Sequence, residues 1–222
     1  MKYIVVVEDS SLERIFLKVS DDVSSYMNKI LDIKSDIRVL GSYSDEYIIL
    51  EDNIGGRTIS SDLVIITVKN LDNLEEDKLF EVLTHETAHA MRWKVNPEFA
   101  DNLFKWLIME GIATNFEYKA VIDNELDNPQ YFLSAIISKS DEEIDSMLSR
   151  LSNNLDDTSF NADEIFFGGR ETPRWLGYIV GHYLVKKYLE LTGKDICEAY
   201  ADTYDDFRKI LTENRILSNK VK

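Results

Sequence analysis

Two of the three histidines in this 222-residue chain lie four residues apart, in the segment His85-Glu86-Thr87-Ala88-His89. Residues four apart stack on nearly the same face of an α-helix, one turn along its axis. A helix through this segment lets His85 and His89 present two imidazoles to one metal ion. Glu86 lies about 100° round that helix from His85, close enough to hydrogen-bond a water on the metal. The segment therefore predicts a helix whose histidine face lines a cleft.

Zinc suits these side chains, because neutral imidazole and carboxylate both bind it and three protein ligands leave a fourth position for water. The metal would lower the pKa of that water, and a carboxylate would take its proton. We therefore predict Zn²⁺ as the cofactor, His85 and His89 as ligands, and Glu86 as the general base. The alternative is that the motif arose by chance or is a relic without metal.

A third ligand is expected on the following helix. Apolar residues at helical spacing predict a helix opened by Pro97, with Glu110 in the centre of its apolar stripe. A carboxylate there is costly unless it is paired or binds a metal. The chain between His89 and Glu110 is long enough for a second helix to return past the site. Glu110 is the predicted third ligand, and an ion pair with Arg92 or Lys94 is the alternative.

Other polar residues of this helix are candidates for weaker or supporting roles. Glu117 shares the face of Glu110 two turns on and could support a ligand. Thr114, one turn on, could hydrogen-bond a ligand imidazole and fix its tautomer. Asp101 and Glu98 are weaker candidates for the metal itself.

A long C-terminal helix carries a polar line on an otherwise apolar surface. Arg174, Tyr178 and His182 are spaced four residues apart and are predicted to share one face. A phenol, imidazole or guanidinium near zinc could stabilise the oxyanion of a tetrahedral intermediate. We predict Tyr178 and His182 as catalytic on this ground. The alternative is that both are amphipathic residues at the rim of the core.

The remaining pattern predicts a small N-terminal sheet followed by helices. Predicted strands cover residues 3–7 (a buried strand), 37–40, 47–50 and 63–68, with a turn at 53–57. Residues 10–20 are ambiguous between helix and strand. Predicted helices cover 21–31, 72–93 (with a capping box from Asp72 to Glu75), a stretch from Pro97, 131–137, 142–151, 173–192 (capped by Thr172 and ended by Gly193), and 199–211 before a basic tail.

Charge and composition limit the classes of molecule that the protein is expected to bind. The net charge of −16 would repel nucleic-acid phosphates and anionic membrane surfaces, so neither is an expected partner.

No stretch approaches the roughly 18 apolar residues of a membrane span. The single cysteine, Cys197, excludes an intramolecular disulfide, and the short apolar run at the N-terminus does not resemble a signal peptide. A cytoplasmic protein is expected if residue 1 is the natural start. The oligomeric state stays open.

Three segments together resemble a known class of enzyme. The motif that ends at His89, followed by Glu110-Gly111-Ile112-Ala113, resembles the gluzincin branch of zinc metallopeptidases. The stretch P-R-W-L-G-Y-x-x-G-x-Y over residues 173–183 is similar to the YjaZ-like family of predicted zinc-dependent proteases. The chain departs from this pattern at one point. An acidic residue is expected in relatives shortly after the E-G-x-A element, whereas here Thr114 follows directly.

The resemblance implies an α+β, zincin-like fold. It has a small N-terminal mixed sheet, an active-site helix and a helical C-terminal lobe. The whole chain, 1–222, would form one domain, with the sheet lobe at 1–70 and the metal-carrying helical lobe at 71–222. An edge strand would line the cleft and pair with an extended peptide, and residues 63–68 are the candidate.

The implied function is a zinc-dependent peptidase acting on a peptide or protein. Glu86 would act as general base and then as proton donor to the leaving amine. Tyr178, His182 or Arg174 would stabilise the oxyanion. Two alternatives stay open: a catalytically inactive zincin-like binding or regulatory protein, and a metal-dependent hydrolase of a non-peptide substrate.

Overall fold

A computed structural model of the protein describes residues 1–32 and 35–217. The strands are β1 (Tyr3–Val7), β2 (Ile37–Tyr43), β3 (Ile54–Ser60) and β4 (Leu63–Val68). The helices are α1 (Ser10–Ile30), α2 (Glu76–Val95), α3 (Leu103–Asp123), α4 (Tyr131–Ile137), α5 (Asp141–Leu151), α6 (Ala162–Phe167), α7 (Leu176–Thr192), α8 (Ile196–Ala199) and α9 (Tyr204–Glu213). The end of the predicted basic tail, residues 218–222, lies outside the described residues.

The chain divides into two compact units. The first comprises Met1–Val95 and Phe116–Ser134, and the second comprises Asn96–Asn115 and the chain from Ala135 onward. Helix α3 is continuous and contributes its N-terminal part to the second unit and its C-terminal part to the first. Helix α2, which carries the histidine motif, belongs to the same unit as the sheet.

The sheet has the order β1-β2-β4-β3. The pairs β1–β2 and β2–β4 are parallel, whereas β3–β4 is antiparallel. This is the small mixed sheet that the sequence predicts, but the prediction that residues 63–68 form the edge strand is wrong. Strand β4 lies inside the sheet, and β1 and β3 lie at its edges. The predicted strand at 47–50 contributes one isolated bridge, between Ile49 and Ile54.

Two adjacent glycines lie in strand β3, where the sequence predicts a turn. A Cβ on Gly55 would overlap the carbonyl oxygen of Tyr47, and a Cβ on Gly56 would lie 2.5 Å from Cγ of Glu86. The close approach of these neighbours, rather than a turn conformation, therefore requires glycine at both positions.

Helices α1 and α2 cover one face of the sheet. Helix α1 contacts β1, and α2 contacts β3 and β4. The opposite face carries exposed side chains, including Ile4 at 52% and Val6 at 56% exposure, so β1 is half-buried and not the buried strand predicted. Asp9 caps α1 by accepting hydrogen bonds from two backbone N–H groups. The ambiguous residues 10–20 therefore belong to this helix.

Helix α2 begins four residues later than predicted. A short 3₁₀ helix (Leu71–Asn73) precedes it, and the side chain of Asn70 accepts the N–H of Asn73. The predicted capping box at Asp72 is therefore wrong. The side chain of Trp93, near the C-terminal end of α2, is 44% exposed. Helix α3 likewise begins at Leu103, not near Pro97, because residues 97–102 are non-helical.

Helix α7 begins at Leu176, and the predicted start at Thr172 and Pro173 is wrong. Trp175 precedes it with φ 62° and ψ 21°, a left-handed conformation that interrupts any helix begun earlier. Arg174 therefore lies outside the helix and does not continue the face of Tyr178. The C-terminal prediction is confirmed, because Gly193 caps the helix with φ 71°.

Within the second unit, α3 and α7 approach through two glycines. A Cβ on Gly111 would overlap the carbonyl oxygen of Gly181, and a Cβ on Gly181 would overlap that of Leu107. Asn115 adds a bond across the pair, donating from Nδ2 to the carbonyl oxygen of His182 at 3.1 Å. The backbones of the two helices are therefore in contact at the turn that follows Glu110.

Replacing Gly181 by alanine is expected to destabilise the protein by about 1–3 kcal/mol, although alanine favours an isolated helix by about 1 kcal/mol. The overlap with the Leu107 backbone outweighs propensity because backbone atoms cannot swing aside. Urea unfolding measures the change. Gly193→Asn is the control, since no atom lies within 4 Å of its Cβ position and asparagine tolerates a left-handed backbone. Unchanged stability in Gly181→Ala would contradict the contact.

Candidate metal centre

Helix α2 points two imidazoles at one another. His85 Nε2 and His89 Nε2 are 3.2 Å apart. Two nitrogen ligands of a tetrahedral zinc, each about 2.0–2.1 Å from the metal, are about 3.3 Å apart. The spacing of the two nitrogens therefore fits a shared zinc ion.

The other ring nitrogen of His85 is held by a buried carboxylate. His85 Nδ1 lies 2.9 Å from Oε2 of Glu117, which is 1% exposed. A hydrogen on Nδ1 donates to this carboxylate and leaves the lone pair of Nε2 for a metal. Burial raises the pKa of Glu117, while the bond from His85 lowers it. Glu117 thus fixes the tautomer that a ligand requires.

The supporting role considered for Thr114 is absent among the described contacts. Its hydroxyl donates to the carbonyl oxygen of Glu110, in its own helix, at 2.9 Å. A threonine one turn on from Glu110 can satisfy its hydroxyl within the helix. The longer side chain of Glu117, two turns on, reaches the imidazole of His85 instead.

Helix α3 also carries the third candidate ligand, Glu110, two turns before Glu117. One carboxylate oxygen of Glu110 and one ring nitrogen from each of His85 and His89 all lie within 4.8 Å of one another. Glu110 is 9% exposed, so its carboxylate is buried. Two imidazoles and a carboxylate form a donor set that zinc accepts. The residues present therefore fit the metal.

Glu86, the predicted general base, is 6% exposed and lies against strand β3. Its Oε2 accepts a hydrogen bond from the hydroxyl of Thr58 at 2.7 Å. Sequence analysis did not identify Thr58 as a functional candidate. The sequence gives no direct indication of this role, because a turn is predicted over residues 53–57 and the contact with Glu86 arises from tertiary packing.

Two further buried carboxylates hold the start of α4. Asp52 accepts from the backbone N–H groups of Tyr131 and Phe132 at 2.8 and 3.0 Å. Both oxygens of Glu81 lie within 3.1 Å of the backbone N of Gln130. These bonds place the ring of Phe132 edge-on to His85, with 6.4 Å between ring centroids.

The carboxyl group of Glu81 has an unusual pKa. Burial and the neighbouring Glu117 raise it to about 9, from an ordinary value of 4.5. Glu81 is therefore protonated at neutral pH, which limits the negative charge beside His85.

Tyr178 and His182 lie one turn apart on α7. Burial, followed by the nearby charge of Lys186, lowers the pKa of His182 to about 4, so its imidazole is neutral at pH 7. The Tyr178 ring packs edge-on against Phe166, with centroids 5.1 Å apart. A phenol and a neutral imidazole can each donate a hydrogen bond.

Arg174, the third residue of the predicted polar line, is placed differently. Its guanidinium lies over the ring of Trp175, 4.0 Å from the centroid, and the residue is exposed. The left-handed backbone at Trp175 separates Arg174 from the face of α7 that carries Tyr178 and His182.

Replacing Glu117 by glutamine is expected to weaken zinc binding by about 10- to 100-fold, because the amide cannot raise the basicity of His85 as a carboxylate does. Competition with a chromogenic chelator measures the affinity. Glu142→Gln, an exposed change on α5, is the matched control. Equal affinities of Glu117→Gln and the wild type would show that the carboxylate has no influence on the metal.

None of the helices in the described ranges combines the length and the apolar character needed to cross a membrane. No curated protein and no solved structure matches the chain. One family does match, over residues 18–209, and its description is "Predicted Zn-dependent protease (DUF2268)". Since the match covers most of the 222 residues, the chain belongs to this family of predicted zinc-dependent proteases.

Proposed function

We propose that the protein is a zinc-dependent peptidase of the gluzincin type. His85, His89 and Glu110 hold the metal, and Glu86 is the general base. The observation that carries the proposal is the pair of facing Nε2 atoms, 3.2 Å apart, with His85 Nδ1 bonded to Glu117. Family membership agrees with this chemistry.

The reaction is the attack of water on a peptide carbonyl. When bound, zinc would polarise that carbonyl and lower the pKa of the water. The carboxylate of Glu86 accepts a proton from the attacking water and then donates it to the leaving amine nitrogen. The neutral imidazole of His182 or the phenol of Tyr178 donates a hydrogen bond to the developing oxyanion.

Strand β3 is the proposed binding strand for the peptide. The N–H of Lys69 donates to the carbonyl oxygen of Asn53, so Asn53 and alternate residues after it face β4. The backbone groups of Gly56 and Thr58 consequently face the outer edge. An extended peptide can add a strand beside Gly56 and Thr58, because β3 is an edge strand in a sheet of this order and its bridge to Ile49 engages Ile54.

Metal analysis and a peptide screen test the proposal together. Protein purified without added metal is assayed for zinc by elemental analysis, and a peptide library is assayed for cleavage by mass spectrometry. We expect about one zinc per chain, lost in His85→Ala, and cleavage that a chelator stops and zinc restores. Absence of zinc, with no uptake from solution, would reject the proposal. Zinc binding without cleavage of any peptide would reject the peptidase activity alone.

A further inference from the structure

The side chain of Glu86 lies against two alternate residues of edge strand β3. The hydroxyl oxygen of Thr58 is 2.7 Å from Oε2 of Glu86 and 2.8 Å from the backbone carbonyl oxygen of the same residue. On the same face of the strand, Gly56 leaves the space that Cγ and Oε1 of Glu86 occupy. The strand thus contacts both oxygens of the carboxylate.

The hydroxyl of Thr58 has one proton and two acceptors, both belonging to Glu86. An ionised carboxylate is the stronger acceptor, since charge-assisted hydrogen bonds are shorter and stronger than neutral ones. The bond therefore engages Oε2 whenever Glu86 is ionised, which is the state a general base needs. Oε1 stays available for proton transfer, because one hydroxyl bonds only one of the two oxygens.

Gly56 makes this arrangement possible. An ideal Cβ at this position would lie 2.5 Å from Cγ of Glu86 and 2.8 Å from Oε1. Real Cβ atoms do not approach so closely, so any side chain at position 56 would displace the carboxylate. The absence of a side chain at Gly56 and the hydroxyl of Thr58 together allow one placement of the base.

We infer that Thr58 is a positioning residue, which holds the carboxylate of Glu86 in the orientation that accepts a proton from water. The inference rests on the proposed peptidase function. It adds that one strand serves two purposes: its outer edge pairs with the peptide, and its Thr58 side chain orients the base. Strand β3 thereby fixes the distance between the peptide and the base.

Removing the hydroxyl tests the inference with a variant of the same shape. Thr58→Val lacks the donor, whereas Thr58→Ser keeps it. For a peptide found in the library screen, we expect kcat to fall about 10- to 100-fold in Thr58→Val, with KM changed less than about twofold. Zinc content should stay unchanged, and Thr58→Ser should retain most of the activity. Unchanged kcat in Thr58→Val, or an equal loss in Thr58→Ser, would overturn the inference.

A second measurement uses the metal-free protein and needs no activity. Urea midpoints are compared for the wild type, Thr58→Val, Glu86→Ala and the double variant. We expect Thr58→Val to lower the midpoint more in the wild type than in the Glu86→Ala background. Equal shifts would show that the hydroxyl bonds only the backbone carbonyl, which overturns the inference whatever the activity. A third outcome is that the midpoints show coupling between Thr58→Val and Glu86→Ala while the wild type binds zinc and cleaves no peptide. That result would reject the peptidase proposal and, with it, the catalytic role of Thr58.

Discussion

Replacing Glu86 by glutamine is expected to lower kcat/KM for peptide hydrolysis by about 10²- to 10⁴-fold, with zinc content unchanged. Glutamine has nearly the same shape and keeps an oxygen that can accept the bond from Thr58. What it loses is the capacity to accept a proton at neutral pH. The variant therefore separates proton transfer from metal binding and from packing. Steady-state kinetics on a peptide from the screen, with elemental analysis of the same sample, measures both quantities.

A matched control for this change exists on the same helix. Glu76→Gln alters an exposed carboxylate in the first turn of α2, where its ion pair with Lys18 is worth little. We expect its kcat/KM to stay within about twofold of the wild type. If Glu86→Gln kept full activity, the general base would be another residue. If the variant lost zinc together with activity, Glu86 would be needed for zinc binding, and the loss of activity would not show a role in proton transfer.

Local chemistry accounts for what could be predicted from the sequence. The four-residue spacing of His85 and His89 predicts two imidazoles on one helical face, and both lie on α2 with facing nitrogens. Strand-forming runs at 37–40 and 63–68 predict two strands of a mixed sheet, and the structure contains both, although 63–68 lies inside the sheet and not at its edge. These features depend on residues close together in sequence, so periodicity detects them. The assignment of the metal ligands, including Glu110, stays a prediction until zinc is measured.

Contacts between distant residues account for what could not be predicted. The edge position of β3 follows from strand pairing, which no single stretch encodes. Gly55 and Gly56 indicate a turn when read locally, and only the approach of Tyr47 and Glu86 explains them. Asp52 reaches Tyr131 across 79 residues of sequence. Supporting residues of the site therefore emerge from tertiary packing, whereas its central motif is visible in the sequence.

The second large expected effect concerns Glu81 and the pH dependence of stability. Its pKa in the folded protein, about 9, lies above the ordinary value of 4.5 because the carboxyl is buried near Glu117. Between about pH 4.5 and pH 9, the carboxyl group of Glu81 is therefore protonated in the folded protein and ionised in the unfolded chain. Stability falls as pH rises through this window, by up to about 1.4 kcal/mol per pH unit.

Glu81→Gln removes this titration and keeps the acceptor for the N–H of Gln130. Relative to the wild type, the variant should gain stability as pH rises, by on the order of 2–4 kcal/mol between pH 5.5 and pH 8. Urea unfolding of the metal-free protein at the two pH values measures the difference. In the control Glu143→Gln, the difference should be the same at both pH values, because hydrogen bonds at Ser140 and Lys139 hold the pKa of Glu143 below its usual value. A pH-independent effect of Glu81→Gln would mean that the buried carboxylate is ionised throughout, and that the site tolerates a second negative charge beside Glu117.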